Sequence, residues 1–264
     1  MKKLICSILL ALMTILSFGQ NKGTIKFLGI PIDGTETQFA TKLKAKGFTY
    51  NTYSESYKGQ FNGKNVDVYI HTNHNLVDRV YVAFPQTASE DQIRNEYNRL
   101  LSQFKDTGKY MDLSFNEEIP ADEDISYQIT VKNKRYQASL CYFDPDREPL
   151  PMIDALLDKF TGIIPDDALA KMKEFTKEAI NLPEDQQKEL SERLMAELQA
   201  MGYSQDPNAE PDPEKTFLFL STFIDGMKSL ADGDVWFMIH EHYGRYNIGL
   251  YYDNLHNQAH GEDL

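Results

Sequence analysis

DVWFMIHEHYGRYNIGLYYD, residues 234–253, alternates apolar residues with other side chains on both sides of Tyr243-Gly244. A period of two is typical of a β-strand, because successive side chains point to opposite faces. Glycine supplies one of the positive-φ positions that a two-residue hairpin turn requires. The stretch therefore predicts a β-hairpin in which Trp236 lies opposite Tyr251.

The two faces of this predicted hairpin differ in character. In the register set by the turn, one face is almost entirely apolar and is expected to belong to the core. The opposite face carries the candidate binding residues Trp236, Met238, His240, His242 and Tyr251. A sheet face that holds the single Trp beside Met and Tyr is either covered by another element of the chain or used to bind a ligand or partner. We predict a ligand- or partner-binding surface; the alternative is that a C-terminal helix packs over it.

The N-terminal half shows the same alternation together with helix signals. Thr35-Glu36-Thr37-Gln38 is a capping box, and Ser89 begins a second helix. Asn62-Gly63 is a hairpin turn signal, and later strands are predicted at 111–115, 125–131 and 135–143. The fold class predicted is α+β: a mainly antiparallel sheet with packed helices, plus a helical hairpin insertion in the C-terminal half.

Three parts of the chain are predicted from the breaks between these patterns. Residues 1–19 form a signal peptide, residues 22–146 an N-terminal α+β domain, and residues 151–264 a C-terminal helical region ending in the β-hairpin. The proline-rich stretch Asp144–Pro151 is the linker between the last two parts.

An internal similarity links two stretches that lie 110 residues apart. The predicted strands 125–131 and 135–143 align with residues 235–241 and 245–253 without a gap. Either the second hairpin is a diverged copy of the first, or antiparallel hairpins share this pattern for physical reasons alone.

The N-terminus predicts export. Met1-Lys2-Lys3 is followed by the apolar run Leu4–Phe18, and cleavage is expected after Gly19. No cysteine stands at that point, so no lipid anchor is expected. Removal of Cys6 leaves Cys141 alone, which excludes an intramolecular disulfide. We expect a periplasmic or extracellular protein without stable membrane insertion once the signal has been removed.

Composition narrows the possible partners. The chain has 264 residues, of which 41% are hydrophobic and 25% charged, so an ordinary globular core is expected. Its formal net charge is -13, without a basic block. A nucleic-acid partner or an anionic membrane surface is therefore disfavoured.

Known chemical signatures are missing from the sequence. It contains no phosphate-binding glycine loop, nucleophile elbow or Cys-x-x-Cys pair, and no cofactor is predicted. His240 and His242 would share a strand face, but a zinc site needs further converging ligands. The sequence favours a non-enzymatic exported binding module whose partner is an unidentified protein or glycan. A metal- or carboxylate-dependent hydrolase and a carbohydrate-binding accessory protein are the alternatives.

Several turns and strands carry a resemblance to a known family. The runs Phe27–Thr35, Gly233–Phe237 and Tyr251–Asn254 resemble a family of exported, functionally uncharacterised proteins of gut Gram-negative bacteria. The similarity covers about a third of the chain and implies export and an α+β fold. It implies no site residue.

Overall fold

This computed structural model describes residues 24–144, 147–180, 182–198, 200–201 and 213–259. The described chain divides into two compact units. The sheet unit comprises residues 24–144 and 231–259, and the helical unit lies within residues 147–230. The predicted signal peptide lies outside the described residues.

The sheet unit is built on an eight-stranded antiparallel sheet, which confirms the predicted fold class. Its strand order is β3-β4-β5-β6-β10-β9-β8-β7, and β1 and β2 form a separate small hairpin. The strands are β1 Lys26–Phe27, β2 Ile30–Pro31, β3 Thr49–Asn51, β4 Ser56–Phe61, β5 Lys64–Asn73, β6 Leu76–Ala83, β7 Tyr110–Met111, β8 Gln137–Tyr142, β9 Gly233–His242 and β10 Arg245–Asn254.

Two helices of the sheet unit pack on one face of this sheet, which we call the core face. They are α1 (Glu36–Ala45) and α2 (Glu90–Asp106), and both begin with the predicted capping box, at Thr35 and Ser89. Their buried residues join the strands in one hydrophobic cluster. Its fully enclosed members include Phe27, Phe39, Leu43, Leu100, Val68, Val80, Val82, Val235, Phe237 and Leu250.

The prediction of a strand at residues 125–131 is wrong. Residues Ile125–Thr130 form the short helix α3, and Asp124 caps it by accepting a hydrogen bond of 2.7 Å from the Tyr127 N–H. Ile125 and Ile129 are four residues apart, so a helix also brings both to the core. The first hairpin of the proposed internal similarity therefore does not form.

The C-terminal hairpin has the predicted register. Trp236 pairs with Tyr251 and Met238 with Gly249, while Tyr243 and Gly244 both have positive φ angles, of 51° and 73°. The hairpin lies in the middle of the sheet, where β10 pairs with β6 and β9 pairs with β8. The predicted division at 22–146 and 151–264 thus differs from the structure, because these central strands complete the N-terminal sheet.

The helical unit contains α4 (Pro149–Asp158), α5 (Asp166–Ala179), α6 (Glu184–Leu198) and α7 (Pro213–Ser229). Helices α5 and α6 form the predicted helical hairpin. Their predicted inward stripes are buried, except for Met201, which lies beyond α6 and is exposed. Elsewhere in the unit, the rings of Phe160 and Phe219 lie 5.0 Å apart. Within the described residues, no helix is both long and apolar enough to cross a membrane.

Candidate functional site

The second face of the sheet carries a row of aromatic rings. Tyr69 pairs with Tyr81, Tyr81 with Tyr251, and Tyr251 with Trp236, so the row crosses β5, β6, β10 and β9. We call these four residues the aromatic ladder, and the sheet face that bears them the ladder face. Each ring is partly exposed.

The rings of the aromatic ladder are stacked face to face. Ring centroids are 5.5 Å apart for Tyr69 and Tyr81, 4.5 Å for Tyr81 and Tyr251, and 3.8 Å for Tyr251 and Trp236. The interplanar angles are 21°, 15° and 6° in the same order. Because the stacking runs from strand to strand, the two inner rings have both faces covered. The ladder face therefore presents their edges and phenol groups.

An ion pair borders the aromatic ladder. Arg79 donates two hydrogen bonds, of 2.6 and 2.8 Å, to the carboxylate of Asp253, which is 4% exposed. Trp236 Nε1 donates to the same carboxylate at 3.0 Å. The guanidinium carbon of Arg79 lies 5.7 Å from the Trp236 ring and 5.8 Å from that of Tyr251. One buried carboxylate thus fixes both the cation and the end ring of the ladder.

The inner phenols of the aromatic ladder are held in their neutral form. Burial raises the pKa of Tyr81 to about 12, with the neighbouring Tyr251 as the next cause. Burial likewise raises the pKa of Tyr251. Both hydroxyl groups therefore remain protonated at physiological pH. The Tyr81 hydroxyl donates to that of Tyr251, whose own O–H remains as a hydrogen-bond donor.

The side chains of His240 and Tyr81 pack closely over Gly249 on the ladder face. A Cβ at this position would lie 2.8 Å from His240 Nε2 and 3.1 Å from Tyr81 Cε2, so only glycine fits without movement. Among the described residues, His240 Nε2 is buried without a hydrogen-bond partner, and so is Oδ1 of Asn247, its cross-strand neighbour. Burial, followed by the nearby His242, lowers the pKa of His240, which favours the neutral imidazole.

The structure brings together four of the five predicted site residues. Trp236, Met238, His240 and Tyr251 occupy neighbouring positions on β9 and β10, whereas His242 is exposed at the end of β9. Sequence analysis missed the other half of the surface, contributed by Tyr69, Tyr81, Arg79 and Asp253. The alternating positions of both tyrosines on their strands were the available signal, but it did not show that β6 would pair with β10.

Three other side chains that could add ligands to a metal site at His240 and His242 have partners elsewhere. His71 contacts Asp78 at 2.7 Å, His256 contacts Asp232 at 2.8 Å, and Asp253 binds Arg79. Over the part of the chain that the structure describes, no group of three His, Cys, Asp or Glu residues is arranged to hold a metal ion.

A cleft lies at another edge of the sheet unit, between α2 and the strands. Its volume is about 420 Å³. The lining comprises Lys64, Asn65, Phe84, Gln86, Thr87, Ala88, Gln92, Ile93, Asn95, Glu96, Arg99, Asn247 and Ile248. We call it the polar cleft, because carboxamide and charged side chains form its walls.

The chain matches no described protein family, no curated protein and no solved structure. The resemblance to exported bacterial proteins therefore stays a prediction. Functional interpretation rests on the geometry of the ladder face and of the polar cleft.

Proposed function

We propose that this chain is an exported, non-catalytic binding protein that recognises a protein partner through the ladder face. The observation that carries the proposal is the partly exposed stack of Tyr69, Tyr81, Tyr251 and Trp236 beside the Arg79–Asp253 pair. Tyr, Trp, Met and Arg are the residue types enriched in protein interfaces and their hot spots.

Ring orientation favours a protein over a glycan as the partner of this face. Sugar rings stack on exposed aromatic faces, but the two inner rings of the aromatic ladder have both faces covered by their neighbours. Ring edges carry partial positive charge and suit the carbonyl groups and side chains of a polypeptide. The phenol groups add hydrogen-bond donors.

The ladder face is also pre-organised. Stacking restrains the rings before any partner binds, and Asp253 holds the Arg79 guanidinium in one orientation. Fewer side-chain rotamers are then lost on association, which lowers the entropic cost of binding.

Trp fluorescence tests whether the ladder face is accessible. Trp236 is the only tryptophan, so the emission spectrum and acrylamide quenching report on this residue alone. We expect efficient quenching, since a covered face could not receive a partner. A blue-shifted emission that acrylamide does not quench would contradict the proposal and favour the alternative of a helix packed over this face.

Binding itself is tested with matched tyrosine variants. Tyr69→Ser removes the outer ring of the aromatic ladder, and Tyr53→Ser removes a ring that is 98% exposed and lies outside the ladder. A partner recovered from the cell envelope and titrated in purified form should bind the Tyr69→Ser variant about tenfold more weakly, as expected for a hot-spot ring. Equal affinity for both variants would refute the assignment of the surface.

A further inference from the structure

We propose that the polar cleft is a second, independent binding site, for a sugar-sized molecule that carries a carboxylate. The cleft belongs wholly to the sheet unit and contains none of the four rings of the aromatic ladder. Its volume of about 420 Å³ falls within the range of small-molecule sites. Three properties of its walls and floor define the ligand class.

The first property is an excess of positive charge. The Glu96 carboxylate forms ion pairs with Lys64 Nζ at 2.7 Å and with Arg99 Nη2 at 2.8 Å. These three residues are the charged members of the lining. A further cation, Arg245, reaches the rim by donating to the Thr87 carbonyl at 3.2 Å. Cations thus outnumber carboxylates here, although the chain as a whole has a net charge of -13.

Glu96 is held ionised, so this balance persists at neutral pH. Burial of its side chain opposes ionisation, but hydrogen bonds from Lys64 and Arg99 outweigh burial and lower the pKa of Glu96. Lys64 and Arg99 each keep N–H donors beyond those directed at Glu96, and their side chains are 44% and 41% exposed. They can therefore accept an anionic ligand without losing the carboxylate that positions them.

The second property is a set of carboxamides that suits hydroxyl groups. Each Asn or Gln side chain offers donors and an acceptor, and therefore matches a hydroxyl group in either role. The carboxamides in the lining are Asn65, Gln86, Gln92, Asn95 and Asn247.

The third property is an apolar floor. Phe84, Ile93 and Ile248 lie beneath the polar walls, and all three are buried. A pyranose is amphipathic, since its C–H groups can rest on an apolar surface while its hydroxyls bond to the walls. A floor of this kind, polar walls and a net positive charge together favour a sugar acid over a neutral sugar or a simple anion.

Isothermal titration calorimetry of the full chain with D-glucuronate, D-glucose and L-glutamate tests the proposal. We expect D-glucuronate to bind about tenfold more tightly than D-glucose, the effect of one charge-assisted hydrogen bond. Failure of D-glucuronate to bind would overturn the proposal. Equal binding of L-glutamate and D-glucuronate would overturn the sugar part of it, because the carboxylate alone would then account for recognition.

Matched variants locate the site. Lys64→Met should weaken D-glucuronate binding about tenfold and leave D-glucose affinity unchanged, since it removes one charge-assisted contact. Lys58→Met is the control, because Lys58 also forms an ion pair on the sheet, at 3.6 Å from Asp67, but does not line the cleft. If Lys58→Met weakens binding as much as Lys64→Met, the cleft is not the site.

The test is independent of the ladder face. Tyr69 does not line the cleft, so the Tyr69→Ser variant should bind D-glucuronate normally even where it fails to bind a protein partner. Loss of both activities in that variant would contradict the assignment of two separate sites.

Discussion

Phe237 and Met238 are adjacent on one strand, yet they belong to two surfaces with different physical bases. The core face is covered by α1 and α2, and Phe237 on it is fully buried, with its ring centroid 5.1 Å from that of Tyr97. The ladder face holds its side chains by contacts among themselves, through ring stacking and the Arg79–Asp253 pair. The first surface draws its stability from burial, and the second from cross-strand pairs.

This comparison separates what each face contributes. Burial stabilises the fold whatever the function of the protein, and packing defects there are costly. Cross-strand pairs contribute only about 0.2–1 kcal/mol each, but they fix side chains at positions where a partner can meet them. We therefore expect substitutions on the core face to change stability most, and substitutions on the ladder face to change recognition more than stability.

The largest effect is expected at Phe237. Phe237→Ala removes a fully buried ring and should lower the free energy of unfolding by about 3–5 kcal/mol. Met238 on the other face is partly exposed, so Met238→Ala should lower the free energy of unfolding by only about 1 kcal/mol. Urea denaturation of both variants measures the difference, and equal losses would mean that the ladder face is packed as tightly as the core face.

A smaller loss is expected when the ion pair on the ladder face is broken. Arg79→Met keeps the apolar stem but leaves the buried Asp253 carboxylate without its cation. A fully buried pair would cost more, but Arg79 is 38% exposed, so we expect a loss of about 2 kcal/mol. Arg245→Met is the control, since this exposed arginine should change stability by less than about 0.5 kcal/mol. Similar values for both would show that the Arg79–Asp253 pair adds no stability.

Adding a side chain at Gly249 should have an intermediate effect on stability. Gly249→Ala places a Cβ 2.8 Å from His240 Nε2 and 3.2 Å from Tyr251 Cε2, and should cost about 1–2 kcal/mol. Combining it with His240→Ala removes the nearest obstructing atom, so the double variant should recover part of the loss. Thermal unfolding measures both variants; a double variant that loses the sum of the single effects would indicate that His240 is not what limits the space.

The smallest effect is a dependence of stability on pH that comes from His240. Its folded-state pKa lies below the ordinary value of 6.5, first because of burial and then because of His242. The unfolded chain then binds the proton more readily, so stability falls as pH drops below about 6.5 towards the folded-state pKa. His240→Gln should flatten this part of the curve of unfolding free energy against pH. An unchanged curve would show that titratable groups other than His240 cause the loss of stability at low pH.

The sequence predicted local structure well where a turn or a cap fixed it. Tyr243-Gly244 set the register of β9 and β10, and with it the pairing of Trp236 with Tyr251. Thr35 and Ser89 marked the starts of α1 and α2. In each case a few neighbouring residues decide the geometry, so the pattern can be read without knowledge of the rest of the chain.

Long-range pairing could not be predicted in the same way. Arg79 and Asp253 face each other only because β6 pairs with β10, and no local pattern in either strand specifies that partner. For the same reason, Tyr69 and Tyr81 could not be assigned to the aromatic ladder from the sequence. At residues 125–131 the pattern itself was ambiguous, since Ile125 and Ile129 fit one face of a helix as well as one face of a strand.

The central position of β9 and β10 has a consequence for the order of folding. Strands β6 and β8 precede the helical unit in the chain, but they join one sheet only through the last two strands to be synthesised. Until those strands emerge, β6 and β8 each present an unpaired edge, which is a template for association with other chains. The contacts that close the sheet join residues up to 174 positions apart in the sequence, so closure is slow compared with the local folding of the helices. A chain that stops before residue 233 would therefore contain every helix that the structure describes and still lack the strands that hold the two halves of its sheet together.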